Sequence, residues 1–276
     1  MELGATALGM FTKNQRQWNA KPISPEEAET FKSELARSGI GVDQVIVHAS
    51  YLINVGSPED EKREKSLAAL VDELRRAEQL GLKLVNFHPG SGMGELSEDQ
   101  TLSRIADACS RALGETSEAT LVLEATAGQG DHVGYTFRHL AEIIDRAGGS
   151  NRLGVCIDTC HIFAGGYDFR TDEQYRETIA ELERTVGLDR LVGFHLNDSK
   201  TEHGSRKDRH HSLGAGLIGI PALARFITDD RFDGLPFVLE TVDPDLWAAE
   251  IALTRQLADG SVSPEEAVAP SATEES

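Results

Sequence analysis

Three cysteines, Cys109, Cys156 and Cys160, are too few and wrongly spaced for a disulfide framework or a cysteine-rich zinc site, and they read as small core residues. No stretch approaches the roughly 18 to 20 consecutive apolar residues of a membrane span. Met1–Met10 lacks the basic start and apolar run of a secretion signal, so a cytoplasmic protein with no membrane partner is expected. No Gly-x-Gly-x-x-Gly follows an apolar run, which speaks against a dinucleotide-binding sheet. Basic residues are scarce as well: 27 Lys and Arg stand against 46 Asp and Glu, a formal net charge of −19. By itself that balance disfavours nucleic acid, whose phosphates attract clustered cations. What the chain does have is 39% hydrophobic residues over 276 positions, enough for one substantial core at a length ordinary for a single α/β barrel.

Short apolar runs recur at Thr6–Phe11, Gln44–His48, Lys83–His88, Thr120–Glu124, Leu153–Asp158, Leu191–Asn197 and Pro236–Thr241. Helical patterns lie between them. Ser24–Ser38 opens on Ser-Pro-Glu-Glu, a helix-start signal, and Pro58–Leu80 carries Leu67, Leu70, Val71 and Leu74 on one face before stopping at Gly81. Regular alternation of strand and helix predicts a parallel sheet covered by helices, and favours a TIM-type (β/α)8 barrel over an open doubly wound sheet. Seven strands are visible where a closed barrel has eight, and nothing after Thr241 reads as another, so the barrel is expected to lack its first βα unit. A last helix over Leu246–Leu257 ends the expected barrel domain, 1–257. The remainder, 258–276, is rich in Ser, Ala, Pro and Glu and is expected to be a disordered acidic tail.

The last residues of six strands are His48, His88, Glu124, Asp158, His195 and Glu240, each at or within about two residues of the carboxyl end. Asp, Glu and His make up about a fifth of the chain, so six of six by chance is on the order of one in ten thousand. In barrels this face forms the active site, because all strands point their ends into one bowl. Two further clusters join the set: His161 follows Asp158 by three residues, and Asp208 lies two before His210. A single zinc takes about four ligands, so nine candidates suggest two or three ions, and mixed imidazole and carboxylate donors suit Zn2+ or Mn2+ better than Mg2+. Such clusters fit hydrolysis of phosphate esters. The divalent charge would also offset the local acidic excess and leave a positive bowl in an acidic protein. Basic rim candidates are Lys13 and Arg16, after the first strand, with Arg206, Lys207 and Arg209. Three smaller readings complete the survey: Trp18 and Trp247 pack, Gly214-Ala-Gly216 serves tight turning, and His132, His139 and His203 are surface residues.

The wording of the motifs says more than their spacing. Phe11-Thr-Lys-Asn-Gln-Arg-Gln-Trp18, His48-Ala-Ser-Tyr-Leu-Ile-Asn54, Asn86-Phe-His-Pro-Gly-Ser91 and Glu124-Ala-Thr-Ala-Gly-Gln-Gly130 are followed by Cys156-Ile-Asp-Thr-Cys-His161, His195-Leu-Asn-Asp-Ser-Lys200, Asp208-Arg-His-His-Ser-Leu-Gly214 and Leu239-Glu-Thr241. In this order, from about Leu3 to Leu257, they resemble the endonuclease IV family of zinc-dependent apurinic/apyrimidinic endonucleases. The resemblance implies three zinc ions, with Mn2+ able to replace one. The first would be held by His48, His88 and Glu124, the second by Glu124, Asp158, His195 and Glu240, and the third by His161, Asp208 and His210. Glu124, Asp158 and Glu240 would be the catalytic carboxylates. The activity implied is hydrolysis of the phosphodiester 5′ to an abasic site in double-stranded DNA, leaving a 3′-OH and a 5′-deoxyribose phosphate, by a monomer. Lys13, Arg16, Gln17, Tyr51 and Arg209 would contact DNA, with Arg16, Gln17 and Tyr51 inserted where the abasic nucleotide leaves the stack, an extrusion that costs less without a base. Two other readings stay open. A sugar isomerase or epimerase on a related barrel needs one or two ions and leaves His161, Asp208 and His210 unexplained. A truncated inactive homologue is the other, and the presence of all nine ligand types counts against it.

Overall fold

The computed structural model describes residues 3–271. Strand and helix alternate as β1 (Leu8–Met10), α1 (Pro25–Ser38), β2 (Val45–His48), α2 (Asp60–Gln79), β3 (Leu84–Phe87), α3 (Glu98–Gly114), β4 (Thr120–Glu124), α4 (Phe137–Arg146) and β5 (Leu153–Asp158). Then come α5 (Thr159–Gly165), α6 (Asp172–Thr185), β6 (Leu191–His195), β7 (Asp198–Ser199), β8 (His210–His211), α7 (Ile220–Ile227), β9 (Phe237–Val238) and α8 (Trp247–Ala258). The seven expected strands form one parallel sheet in the order β1-β2-β3-β4-β5-β6-β9, a nearly closed barrel of the TIM type. The two-residue strands β7 and β8 pair with each other outside it.

Side chains along a strand alternate between faces, and here that rule builds the site. Ile46, Leu84, Val122, Cys156 and Val238 point inward and plug the barrel. Two residues further along their strands stand His48, Asn86, Glu124, Asp158 and Glu240, so an apolar floor carries a polar layer. On β6 the floor position is Gly193, where a Cβ would come within 2.7 Å of Ile46 Cδ1. Its bare backbone lets Ile46 reach across the barrel beneath His195. The other strand faces, with Val47, Val85, Phe87, Leu121, Leu123, Val155 and Ile157, meet the helices in the main core.

The helices start where capping residues stop the strand-to-helix loops. Ser24 accepts from Glu27 N while Glu27 accepts from Ser24 N, a closed capping box, and Ser97 and Thr171 repeat it for α3 and α6. The Glu27 carboxyl, held by the Ser24 N–H, falls to about 2.

β1 and β9 each have one paired neighbour, and an apolar cavity of about 430 Å3 lies along their unpaired edges, lined by Leu8, Phe232, Phe237, Leu239, Trp247 and Ile251. The expected tail departs from the reading of a disordered segment. Ala267 N–H donates to Ser263 O at 3.0 Å, and Ala267 and Ala269 lie against Ile220, Ala224, Leu253 and Leu257 of α7 and α8. Two small apolar residues after a turn are enough to seat this stretch; the part of the expectation that concerns 272–276 lies outside the described residues. Among the described residues no helix is long and apolar enough to cross a membrane. All three cysteines are buried and unpaired. His139 corrects the surface reading. It is fully buried, its Nδ1 accepting from Gly134 N at 3.2 Å and its Nε2 lying 3.0 Å from Glu98 Oε2.

Candidate metal centre

Glu124, at the end of β4, stands at the middle of the polar layer with no exposed surface. Its Oε2 lies 3.2 Å from both His48 Nε2 and His88 Nε2, while Oε1 lies 3.3 Å from His195 Nδ1 and 3.0 Å from His161 Nδ1. The two oxygens thus face two different groups of ligand types. In the second group His195 Nδ1 is 3.1 Å from Glu240 Oε2 and 4.0 Å from Asp158 Oδ2. The third sits on the β7–β8 side: His161 Nε2 is 3.2 Å from Asp208 Oδ2, and His210 Nε2 is 3.4 Å from Asp208 Oδ1 and from His161 Nε2. Three sets of potential donor atoms each fall within 4.8 Å of one another: His48, His88 and Glu124; Glu124, Asp158, His195 and Glu240; and His161, Asp208 and His210. All nine expected residues are brought together, in the grouping the resemblance implies.

The imidazole orientations suit cations. His48 Nδ1 donates to Ala49 O at 2.8 Å, His161 Nδ1 to Ala125 O at 3.1 Å and His210 Nδ1 to Glu240 O at 3.1 Å. A proton held on Nδ1 by a carbonyl leaves the Nε2 lone pair free, and all three Nε2 atoms point into the cluster. Without a cation the cluster must balance its own charge. Burial opposes ionisation of Glu124, yet the imidazoles of His88, His195 and His161 hold its carboxyl well below the usual range. Glu240 behaves alike beside His195, falling to about 2, and Asp208 is lowered beside His161. Burial likewise opposes charge on His161 and His195, but Asp158 acts on the first, Cys156 and Glu240 on the second, and both imidazoles are raised well above their ordinary value. Four carboxylates, Glu124 and Asp158 among them buried, and five imidazoles gathered at one end of the barrel fit divalent metal better than they fit any neutral packing.

Several supporting residues were not singled out from the sequence. Asn197 Nδ2 donates to Asp158 Oδ2 at 2.8 Å, and its Oδ1 accepts from the backbone N–H of Glu240 at 2.9 Å, so one amide orients the Asp158 carboxylate and fixes the backbone that carries Glu240. Thr159 Oγ1 in turn donates to Asn197 O at 2.7 Å. Asn86 Nδ2 donates to Glu124 Oε2, while its buried Oδ1 has no partner. Strand alternation could have found Asn86 and Asn197, each two residues from a ligand-type histidine on the inward face. Asp198 accepts from the backbone N–H groups of Ser199, Gly214, Ile218 and Gly219 at 2.7 to 3.2 Å, anchoring the loop that carries Asp208 and His210. A Cβ on Gly216 would come within 2.4 Å of Asp198 Oδ1, so close backbone approach explains that glycine. Glu250 of α8 links Leu213 N to Thr241 Oγ1, at 2.9 and 2.5 Å. A fourth group, Asp158, Cys160 and His210, was also unanticipated. Burial pushes the Cys160 thiol up to about 12, which keeps it protonated and a poor ligand.

The expected DNA-contacting residues divide. Tyr51 is 57% exposed, its ring 5.2 Å from that of His48, and burial of its hydroxyl together with Glu240 pushes its pKa up to about 12. Arg16 and Gln17 are exposed on the loop after β1. Arg209 is exposed beside Asp208, whose carbonyl it contacts. Lys13 is a correction. Its side chain is 2% exposed, with Nζ 2.7 Å from Asp72 Oδ2 and 3.4 Å from Glu73 Oε1, so it is spent on α2 and unavailable to a phosphate. Trp18 packs beneath the Lys65 ammonium, 4.3 Å from its ring centre, and Trp247 Nε1 donates to Thr241 O at 3.1 Å.

Residues 1–257 match the family described as xylose isomerase-like TIM barrel. The crystal structure of endonuclease IV from Thermus thermophilus is 37% identical, with a TM-score of 0.81 over 94% of this chain and 91% of that one. The chain belongs to the endonuclease IV family. Within the same superfold, a D-tagatose 3-epimerase-like protein is 18% identical with a TM-score of 0.68, covering 94% of this chain and 91% of its own. The 3-keto-D-glucoside 4-epimerase from E. coli is 16% identical with a TM-score of 0.67, covering 92% and 90%. At those identities the likeness extends to the fold alone.

Proposed function

We propose that the protein is a DNA repair endonuclease that hydrolyses the phosphodiester 5′ to an abasic site in duplex DNA, leaving a 3′-OH and a 5′-deoxyribose phosphate. The observation that carries this reading is the third donor group. His161, Asp208 and His210 stand beside the two groups that share Glu124, and a sugar epimerase, served by one or two ions, has no use for them. The three groups, His48, His88 and Glu124, then Glu124, Asp158, His195 and Glu240, then His161, Asp208 and His210, would hold zinc, which would supply activation of water, polarisation of the phosphoryl group and stabilisation of the leaving oxygen.

The chain's own residues do the rest. Glu124 offers one oxygen to each of two groups and so fixes their spacing. Asn197 holds Asp158 and Glu240 in mutual register, and Asp198 pins the loop of Asp208 and His210, so the donors keep their places through the reaction. Tyr51, Arg16 and Gln17, exposed on neighbouring loops, fill the space an extruded abasic nucleotide vacates, and selectivity follows because a missing base removes the stacking and pairing cost of extrusion. Arg209, with Arg206 and Lys207, offers cations to flanking phosphates.

The test is the chemistry of the cut. A duplex oligonucleotide with one abasic site, incubated with zinc-loaded protein, is expected to give a fragment that a polymerase extends directly, a sign of a free 3′-OH. Fragments that resist extension, or an intact strand from fully loaded protein, would overturn the assignment.

A further inference from the structure

One buried ionic cluster beside the bowl takes no part in the chemistry above. Glu73, on α2, is 1% exposed, and its carboxylate reaches two loops at once. Oε2 accepts from Thr12 Oγ1 at 2.8 Å, in the loop after β1, while Oε1 accepts from Ser50 N at 3.2 Å, in the loop after β2, and lies 3.4 Å from Lys13 Nζ. Ser50 Oγ closes the bracket by donating to Gln15 O at 2.8 Å. The same helix sews down the rest of the first loop. Arg76 donates to Thr12 O at 2.6 Å and Lys21 O at 3.0 Å, and Gln79 donates to Ile23 O at 2.7 Å. Residues 73, 76 and 79, spaced by three, share one helix face.

The exposed tips of these loops are Arg16, Gln17 and Tyr51. A surface loop that orders only on binding loses affinity to the entropy of ordering, whereas one already fixed does not. A buried Lys–Glu pair is a costly way to pack a core and gains its value from what it holds in place. We propose that Glu73 is a positioning residue that, with Lys13, locks the loops after β1 and β2 into one rigid rim, so that Arg16, Gln17 and Tyr51 meet the duplex pre-ordered. The proposal rests on the DNA reading above.

Hydrogen exchange and steady-state kinetics of Glu73→Ala and Glu73→Gln test it. In Glu73→Ala, amides of residues 12–18 and 49–54 are expected to exchange faster together, by about tenfold or more, with zinc content and α4–α6 unaltered. KM for an abasic duplex should rise about tenfold while kcat stays within about twofold. Glu73→Gln, whose amide oxygen can still accept from Ser50 N while its amide nitrogen donates to Thr12 Oγ1 in place of accepting from it, loses the charge but can bridge both loops and should restore most of the loop protection; if Glu73→Ala does not fold, a smaller rise in both loops of Glu73→Gln carries the test. Unchanged exchange, loosening of one loop alone, or a fall in kcat without a rise in KM would overturn the proposal. If the wild-type protein fails to nick, the DNA reading fails, and the exchange result still decides whether Glu73 couples the loops.

Discussion

Among the described residues, four histidines and no lysine or arginine pair with Glu124, and that choice of partners defines the site. A structural carboxylate buried this deeply would be matched by a fixed cation; imidazoles instead offer lone pairs to a metal. Asn197 is the residue whose role can be tested most cleanly, since it bonds the Asp158 carboxylate and the backbone of Glu240 and belongs to none of the donor groups. Asn197→Ala is expected to lower zinc affinity or nicking by about 10- to 100-fold with little change in fold, as measured by zinc titration and circular dichroism. An unaffected variant would mean that Asp158 and Glu240 are held by other contacts. The raised imidazoles lead to a pH prediction. His161 and His195 titrate above 6.5 in the metal-free protein, so the stability they lend it is complete below 6.5 and is lost as pH rises through their folded values. Metal replaces those protons. The melting-temperature gap between zinc-loaded and chelator-treated protein should therefore widen from about pH 6 to about pH 9; a gap that narrows would contradict this charge balance.

At the scale of elements, the sheet is strongest in its middle. β2 to β6 are paired on both sides, while β1 and β9, three and two residues long, are paired on one and border the 430 Å3 cavity. Amides of β3 to β5 are expected to exchange only through global unfolding, and those of β1 and β9 at least about tenfold faster through local opening; uniform protection across the sheet would refute this. The seven parallel strands were legible because each is an apolar run with a turn signal on either side, as in Thr120–Glu124 between Ser117 and Gly128. The β7–β8 ladder was not, since two residues carry no period. Lys13 was misread because a loop sequence does not say where its side chain turns: its partners, Asp72 and Glu73, lie about sixty positions away on α2. The tail was misread because Ala267 and Ala269 are weakly apolar, and only the surface of α7 and α8 gives them something to meet.

For the whole molecule, a net charge of −19 and the proposed binding of DNA have to coexist. Long-range steering is unfavourable at that charge, so association depends on the bowl, where divalent cations would offset Glu124, Asp158, Asp208 and Glu240 and leave Arg16, Arg206, Lys207 and Arg209 on the rim. Of the nine donor residues, six were readable as strand ends because the barrel's geometry dictates what strand ends do; the other three, His161, Asp208 and His210, lie on α5, on the loop before β8 and on β8, and stood out as local clusters whose grouping only the motif wording announced. The central claim is that all three groups are filled for phosphodiester cleavage. Chelator-stripped protein should be titrated with zinc while bound metal and nicking of an abasic duplex are measured on the same samples. Nicking that reaches its plateau only as bound zinc approaches three per chain, and that is absent from Glu124→Ala, is the expected result. Saturation at one or two zinc without nicking would contradict the account and return the bowl to the sugar-converting relatives of its fold.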